Sequence, residues 1–166
     1  MRLAVTVLSL GVALIGCSES TTEPDEVVFQ VIEETEFAST LGINLAAMTR
    51  LQSGVYIQDL AEGDPYGLEV VIGRVVVLEI QGWLADGVQW MNKVETLFLG
   101  ATPSIVGLED AVLQMLPGGE RLAVIPPDRA YGDLPQLGPS GNVVVPAGSI
   151  VVLRIRVQSV TEVDAS

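Results

Sequence analysis

Hydrophobic and polar positions alternate most regularly near the end of the chain. Val151, Leu153, Ile155 and Val157 interleave with Val152, Arg154, Arg156 and Gln158, so residues 150–160 read as a strand with two unlike faces. Weaker alternation marks residues 55–60 and 121–125. Residues 68–84 form a long aliphatic run through Val70, Val71, Ile72, Val75, Val76, Val77, Leu78 and Ile80. Gly73 interrupts it, which predicts two strand segments with a break or bulge between them. Asp86-Gly87 is a hairpin-turn pair. A strand resumes at 88–90, and another short one is expected at 96–99, ending at Gly100. The period changes only at 108–116, where Leu108, Val112 and Met115 fall at i, i+4 and i+7 and predict one short helix. Glu109 and Asp110 stand in its first turn, where the helix dipole favours negative charge. Pro117-Gly118-Gly119 ends it. Pro126-Pro127 stops the strand after it, and a proline- and glycine-rich loop is expected over 133–148. Several antiparallel strands with one short helix make an α+β domain.

The first third follows no such rule. Val27, Val28, Phe29, Val31 and Ile32 suit a strand, Leu45–Met48 a helical turn, and Phe37 and Leu41 require burial. Residues 27–52 are therefore expected as an N-terminal extension lying against a domain at 53–160, with 161–166 as a C-terminal tail. Residues 17–26 are polar and acidic and read as a flexible tether. Residues 1–16 carry one positive charge, Arg2, then an apolar run from Leu3 to Ile15. That run is short of the ~20 residues that span a bilayer and suits a cleaved secretory signal. Leu14-Ile15-Gly16-Cys17 resembles a bacterial lipobox, in which the cysteine is acylated and becomes the new N-terminus. An ordinary signal peptide with an incidental cysteine is the other reading. The lipobox places the chain in a bacterial cell envelope, lipid-anchored through Cys17 in the periplasm or at an outer membrane.

Composition narrows the chemistry. Eight Lys and Arg against 21 Asp and Glu give a net charge of −13, leaving no basic stripe for nucleic acid. The chain has one cysteine and no histidine, which excludes an intrachain disulfide and a cysteine-based zinc cluster. Neither a metal nor an organic cofactor is implied.

Residues 105–132, IVGLEDAVLQMLPGGERLAVIPPDRAYG, place a helix, a Pro-Gly-Gly stop, a strand, a double-proline turn and Tyr131-Gly132 in succession. Before them stand Gly82-Trp83-Leu84-Ala85-Asp86-Gly87 and Leu99-Gly100. After them stands Val145-Pro146-Ala147-Gly148-Ser149, leading into the closing strand. In this order and spacing the stretch from about 53 to 160 resembles an FKBP-type peptidyl-prolyl cis-trans isomerase. The resemblance implies a twisted antiparallel sheet wrapped around one short helix. It also implies an apolar pocket between helix and sheet that takes the proline of a substrate.

By the same resemblance, Trp90 matches the pocket phenylalanine after the hairpin. Ile105 matches the isoleucine whose backbone N–H holds the substrate, and Tyr131 the tyrosine whose hydroxyl reaches a substrate carbonyl. Val145 matches an apolar residue of the rim, and Leu99 belongs to the leucine-glycine before the pocket loop. The chain departs from the family at other pocket positions. Ile80 stands for a tyrosine, Met91 for an aspartate, Leu108 for the tryptophan of the floor, and Leu153 for an aromatic. A further aromatic is replaced near Glu95 or Leu97. The implied pocket is more aliphatic and has lost a polar group.

An apolar cup with a backbone donor and a hydroxyl is all that rotation about an X–Pro bond requires. The function expected is isomerisation of proline-containing segments of exported proteins by a monomer. A binding or chaperone module that keeps the fold with little catalysis is the alternative, and a lipid-anchored structural protein without a pocket is a third. Without the resemblance, Trp90, Ile105 and Leu108 also read as core residues, and Tyr131 as a phenol bonded to its own loop.

Overall fold

The computed structural model describes residues 26–101 and 105–163. The expected signal peptide, Cys17 and nearly all of the expected tether lie outside the described residues. Strands β1 (Thr49–Arg50), β2 (Tyr56–Ala61), β3 (Arg74–Leu84) and β4 (Gln89–Phe98) precede helix α1 (Val106–Val112). Strands β5 (Glu120–Ile125), β6 (Gln136–Leu137), β7 (Val143–Val145) and β8 (Val151–Glu162) follow it. Six strands form one antiparallel sheet in the order β1-β2-β5-β8-β3-β4, and β6 and β7 pair separately. This is the α+β architecture the pattern implies, an antiparallel sheet against one short helix.

Alternation along the strands divides the apolar side chains between two clusters. Val76, Leu78 and Ile80 of β3, Ala123 and Ile125 of β5, and Val151, Leu153, Ile155 and Val157 of β8 turn to the helix side. There they pack with Leu108, Ala111 and Val112 of α1. Leu122, Val124 and Val152 have the opposite parity and form a second cluster with Tyr56, Ile150, Ile32 and Met48. Phe37, Leu41, Ile43 and Leu45 pack onto that second cluster, so residues 32–48 cover the back of the β2-β5-β8 half of the sheet. Their structure is three short 3₁₀ turns, Ile32–Glu34, Ser39–Leu41 and Leu45–Ala47. Each fully buried aliphatic side chain contributes on the order of 1.5–3 kcal/mol.

Several elements differ from the sequence expectation: residues 27–32 form no strand, β6 and β7 stand in the expected 133–148 loop, and β8 runs two residues into the expected tail. Residues 68–72 are not a strand. Val70 is buried alone, its N–H donates to Met115 O at 2.8 Å, and its carbonyl accepts from Gln114 N at 2.9 Å, which fastens the segment to the end of the helix. Gly73, at φ +87°, then turns the chain into β3. Strand β4 runs unbroken over ten residues because β3 is long enough to pair with it from Val75 to Trp83. Helix α1 begins at Val106 and ends at Val112, short of Met115, since Gln114 adopts a left-handed φ of 67°.

Arg121 closes the helix end. It is 6% exposed, with Nη1 donating to Ala111 O at 2.8 Å and Leu113 O at 3.0 Å. Nε and Nη2 reach the Asp59 carboxylate at 2.6 and 3.2 Å. The guanidinium thus satisfies carbonyls that α1 leaves open and ties the helix to β2.

Candidate active site

The residues singled out from the sequence come together on the helix side of the sheet. Ile80, Leu99, Ile105, Leu108, Val145 and Leu153 are all buried in the front cluster, and Trp90, Met91 and Tyr131 are half-buried against it.

A bulge places Trp90. Gly82 of β3 pairs with Met91, whereas Trp83 pairs with Gln89, so Trp90 is the extra residue of β4. Gly82 leaves room for its ring. A Cβ there would stand 3.0 Å from Trp90 Cε2 and Cζ2 and 3.2 Å from Leu153 Cδ2. The indole therefore rests against bare backbone. Among the described residues its buried Nε1–H has no hydrogen-bond partner. An unmade buried bond of this kind costs about 1–3 kcal/mol.

Tyr131 follows the 3₁₀ turn Pro127–Arg129, whose prolines stop β5 and fix the change of direction. Gly132 N donates to Pro127 O at 2.8 Å, and Gly148 N donates to Gly132 O at 2.8 Å, pinning the turn to the segment before β8. Gly148 in turn accepts from Gln30 N at 2.8 Å, and Ile150 N donates to the Gln30 side chain at 2.8 Å. Gly148 is at φ +72°, and a Cβ there would collide with the Val28 carbonyl. The N-terminal extension therefore braces the turn that carries Tyr131.

The Trp90 and Tyr131 rings meet edge to face, centroids 5.7 Å apart at 77°. Burial, and secondarily the Glu95 carboxylate, push the Tyr131 phenol up from 10 to about 12. It is a neutral donor at any physiological pH. Glu95 pairs across from Leu78, which puts it on the helix side of β4, and it is salt-bridged to Lys93 at 2.7 Å. Sequence reasoning treated Glu95 only as a lost aromatic and overlooked the Trp90 N–H. The parity of β4, which sets Met91, Lys93, Glu95 and Leu97 on one side, is the signal that marks Glu95 as part of the site.

Ile105 lies at the helix start in extended conformation, φ −127° and ψ 106°, and its carbonyl accepts from Leu108 N at 3.1 Å. Leu108 is 2% exposed and packs into the front cluster. The arrangement offers a phenol O–H and an indole N–H beside an aliphatic floor.

Comparison with known proteins agrees with this geometry. The sequence model of the family described as FKBP-type peptidyl-prolyl cis-trans isomerase matches residues 67–158. An FK506-binding protein of Neisseria meningitidis serogroup C is 29% identical over 100 residues, covering 57% of this chain and 86% of that protein. Among solved structures, AtFKBP13 is 26% identical with a TM-score of 0.60, over 69% of this chain and 98% of its own. FkpA from Escherichia coli is 23% identical with a TM-score of 0.58, over 70% of this chain and 52% of its own, a likeness of fold alone.

Proposed function

The chain belongs to the FKBP-type peptidyl-prolyl cis-trans isomerase family, and from that premise we propose that it isomerises X–Pro bonds in exported polypeptides, at the site where Trp90 and Tyr131 meet. The observation that carries the proposal is the half-buried, edge-to-face Trp90–Tyr131 pair, packed against the core that Ile80, Leu108, Val145 and Leu153 fill.

Partial double-bond character gives the X–Pro amide a rotation barrier of ~18–20 kcal/mol, although cis and trans differ by only about 0.5–1 kcal/mol. Twisting the bond removes resonance and makes the carbonyl less dipolar. A dry aliphatic floor stabilises that state relative to the planar one. The pyrrolidine ring packs against the Trp90 and Tyr131 rings. The Tyr131 hydroxyl and the Trp90 N–H hold the flanking carbonyls while the bond turns, and the Ile105 N–H holds the chain beyond it. No covalent intermediate and no cofactor take part.

The test is an isomerisation assay on a proline tetrapeptide. We expect Tyr131→Phe to lower kcat/KM about tenfold, as loss of one oriented hydrogen bond does, with an unchanged circular dichroism spectrum. Trp90→Ala should lower it further. Wild-type catalysis no faster than buffer, with saturable peptide binding, would favour a binding or chaperone module instead. One feature supports that second reading: aliphatic Ile80, Leu108 and Leu153 and the thioether of Met91 occupy the positions of the family's aromatic and acidic pocket residues.

We also propose that the domain works at a membrane surface of the bacterial envelope, held as a monomer by lipid on Cys17, on the strength of the Leu14–Cys17 motif after the apolar run. Cys17→Ser should move the protein from the membrane to the soluble fraction, or leave it unprocessed, and remove palmitate labelling. Unchanged retention of the variant in membranes counts against the anchor.

A further inference from the structure

A concavity lies between α1, β2 and the segment before β3. Its volume is about 750 Å³, within the range of small-molecule sites. Among the described residues, none of the Trp90–Tyr131 group lines it. Leu108 of the proposed isomerase site and Asp110 of this cavity are two residues apart on α1, about 200° around the helix axis.

Three unfavourable features meet on its walls. Among the described residues, Ser53 Oγ and Asp110 Oδ2 are both buried without a hydrogen-bond partner. Gln114, also on the wall, is the only non-glycine residue with positive φ among those described. Unsatisfied buried groups and left-handed side-chain residues each cost about 1–3 kcal/mol, and such costs gather where a ligand relieves them.

The walls also define the ligand. Ile57, Val70, Val71 and Ile72 make it apolar, and Ile72 stays 56% exposed at the rim. The lining cation, Arg121, is already engaged by Asp59 and the Ala111 and Leu113 carbonyls. Glu69 and Asp110 therefore leave the cavity negative. Among the described residues, one Asp110 carboxylate oxygen lacks a donor, and the Ser53 hydroxyl, which can donate or accept, lines the same cavity.

We propose that this cavity is a second binding site, separate from the proline site, which takes the ammonium group of an apolar amine. The head group donates to Asp110 Oδ2 and Ser53 Oγ, and the hydrocarbon lies along Ile57, Val70 and Ile72. A free alkylamine and a lysine side chain of a bound polypeptide share this chemistry.

The test is a heteronuclear NMR titration of the full chain with three probes: hexylammonium, acetyl-lysine methylamide and neutral hexanol. Hexylammonium should shift the amides of 51–53, 69–72 and 110–114 saturably, and hexanol should bind about tenfold or more weakly. Saturation by the lysine derivative as well identifies a polypeptide side chain as a sufficient ligand. Saturation by hexylammonium alone identifies a free amine. Asp110→Asn should weaken hexylammonium about tenfold, and Ser53→Ala two- to threefold. Should Asp110→Asn fail to fold, the hexanol comparison on the wild-type chain and Ser53→Ala still decide. Equal binding of hexanol and hexylammonium, or no saturable shift, overturns the site. Amide shifts confined to the neighbourhood of Trp90 and Tyr131 overturn it too. Loss of isomerase activity in the assay above leaves this result untouched, since it is read at different residues.

Discussion

At the scale of single residues, the phenol of Tyr131 decides how the proposed isomerase responds to pH. Burial, then Glu95, raises it to about 12. A raised tyrosine stays protonated in the folded chain after its unfolded counterpart has ionised. Its contribution to stability is complete below pH 10 and is lost as pH climbs from there through about 12. Catalysis should therefore show no phenol ionisation between about pH 6 and 9. A tyrosinate absorbance titration should contain a late component near pH 12 that vanishes in Tyr131→Phe. A component titrating at the ordinary value instead would mean that the ring is solvated and the site open to water. The site was legible in the sequence as far as side-chain type and order carry it. Trp90, Ile105, Leu108, Tyr131 and Leu153 could be named, because the motifs around them fix their places. The orphan N–H of Trp90 and the approach of Glu95 to Tyr131 could not, since both depend on ring and rotamer positions that no local pattern encodes.

At the scale of elements, the bulge at Trp90 is the most consequential irregularity in the sheet. Because Gly82 presents only backbone to the indole, a methyl group there has nowhere to go but into the ring at 3.0 Å or into Leu153 at 3.2 Å. Gly82→Ala should cost about 1–3 kcal/mol of stability, as overpacking does. It should lower kcat/KM at least as much as Trp90→Ala. Thermal melts together with the isomerase assay check this, and unchanged activity would remove Trp90 from the site. The strands that alternate cleanly, β5 and β8, were readable because their two faces meet different surroundings. Residues 68–72 misled because Val70, Val71 and Ile72 have strand-like chemistry but bury a single side chain and hook onto the helix end. Helix α1 stops early because Gln114 takes a glycine-like conformation to receive that hook. The 3₁₀ turns over 32–47 bury apolar residues at no fixed period, so no window of sequence could reveal them.

At the scale of the whole molecule, the extension over residues 30–50 is held by the second apolar cluster, by hydrogen bonds of Gln30 and Ala38, and by a side-chain latch. The Tyr56 hydroxyl donates to Glu33 at 2.6 Å, and that bond, more than any other influence, lowers the Glu33 carboxyl below its ordinary 4.5. A lowered carboxyl stabilises above its unfolded value and ceases to do so as pH falls through its folded one, so this latch weakens in acid as Glu33 takes up its proton. Amide exchange at Gln30, corrected for intrinsic chemistry, should lose protection between about pH 6 and pH 3. In Tyr56→Phe it should be weak at both. Equal protection of wild type and variant would show that the apolar cluster alone holds the segment. The relay from Gln30 through Gly148 to Gly132 gives this docking a consequence for truncation. A cut before Gln30 would leave the Tyr131 turn braced, whereas a cut just beyond it would spare Trp90 and Tyr131 yet slacken the loop beneath the phenol. Shortening of this segment thus has a permissible limit, written in the backbone amide of a single glutamine.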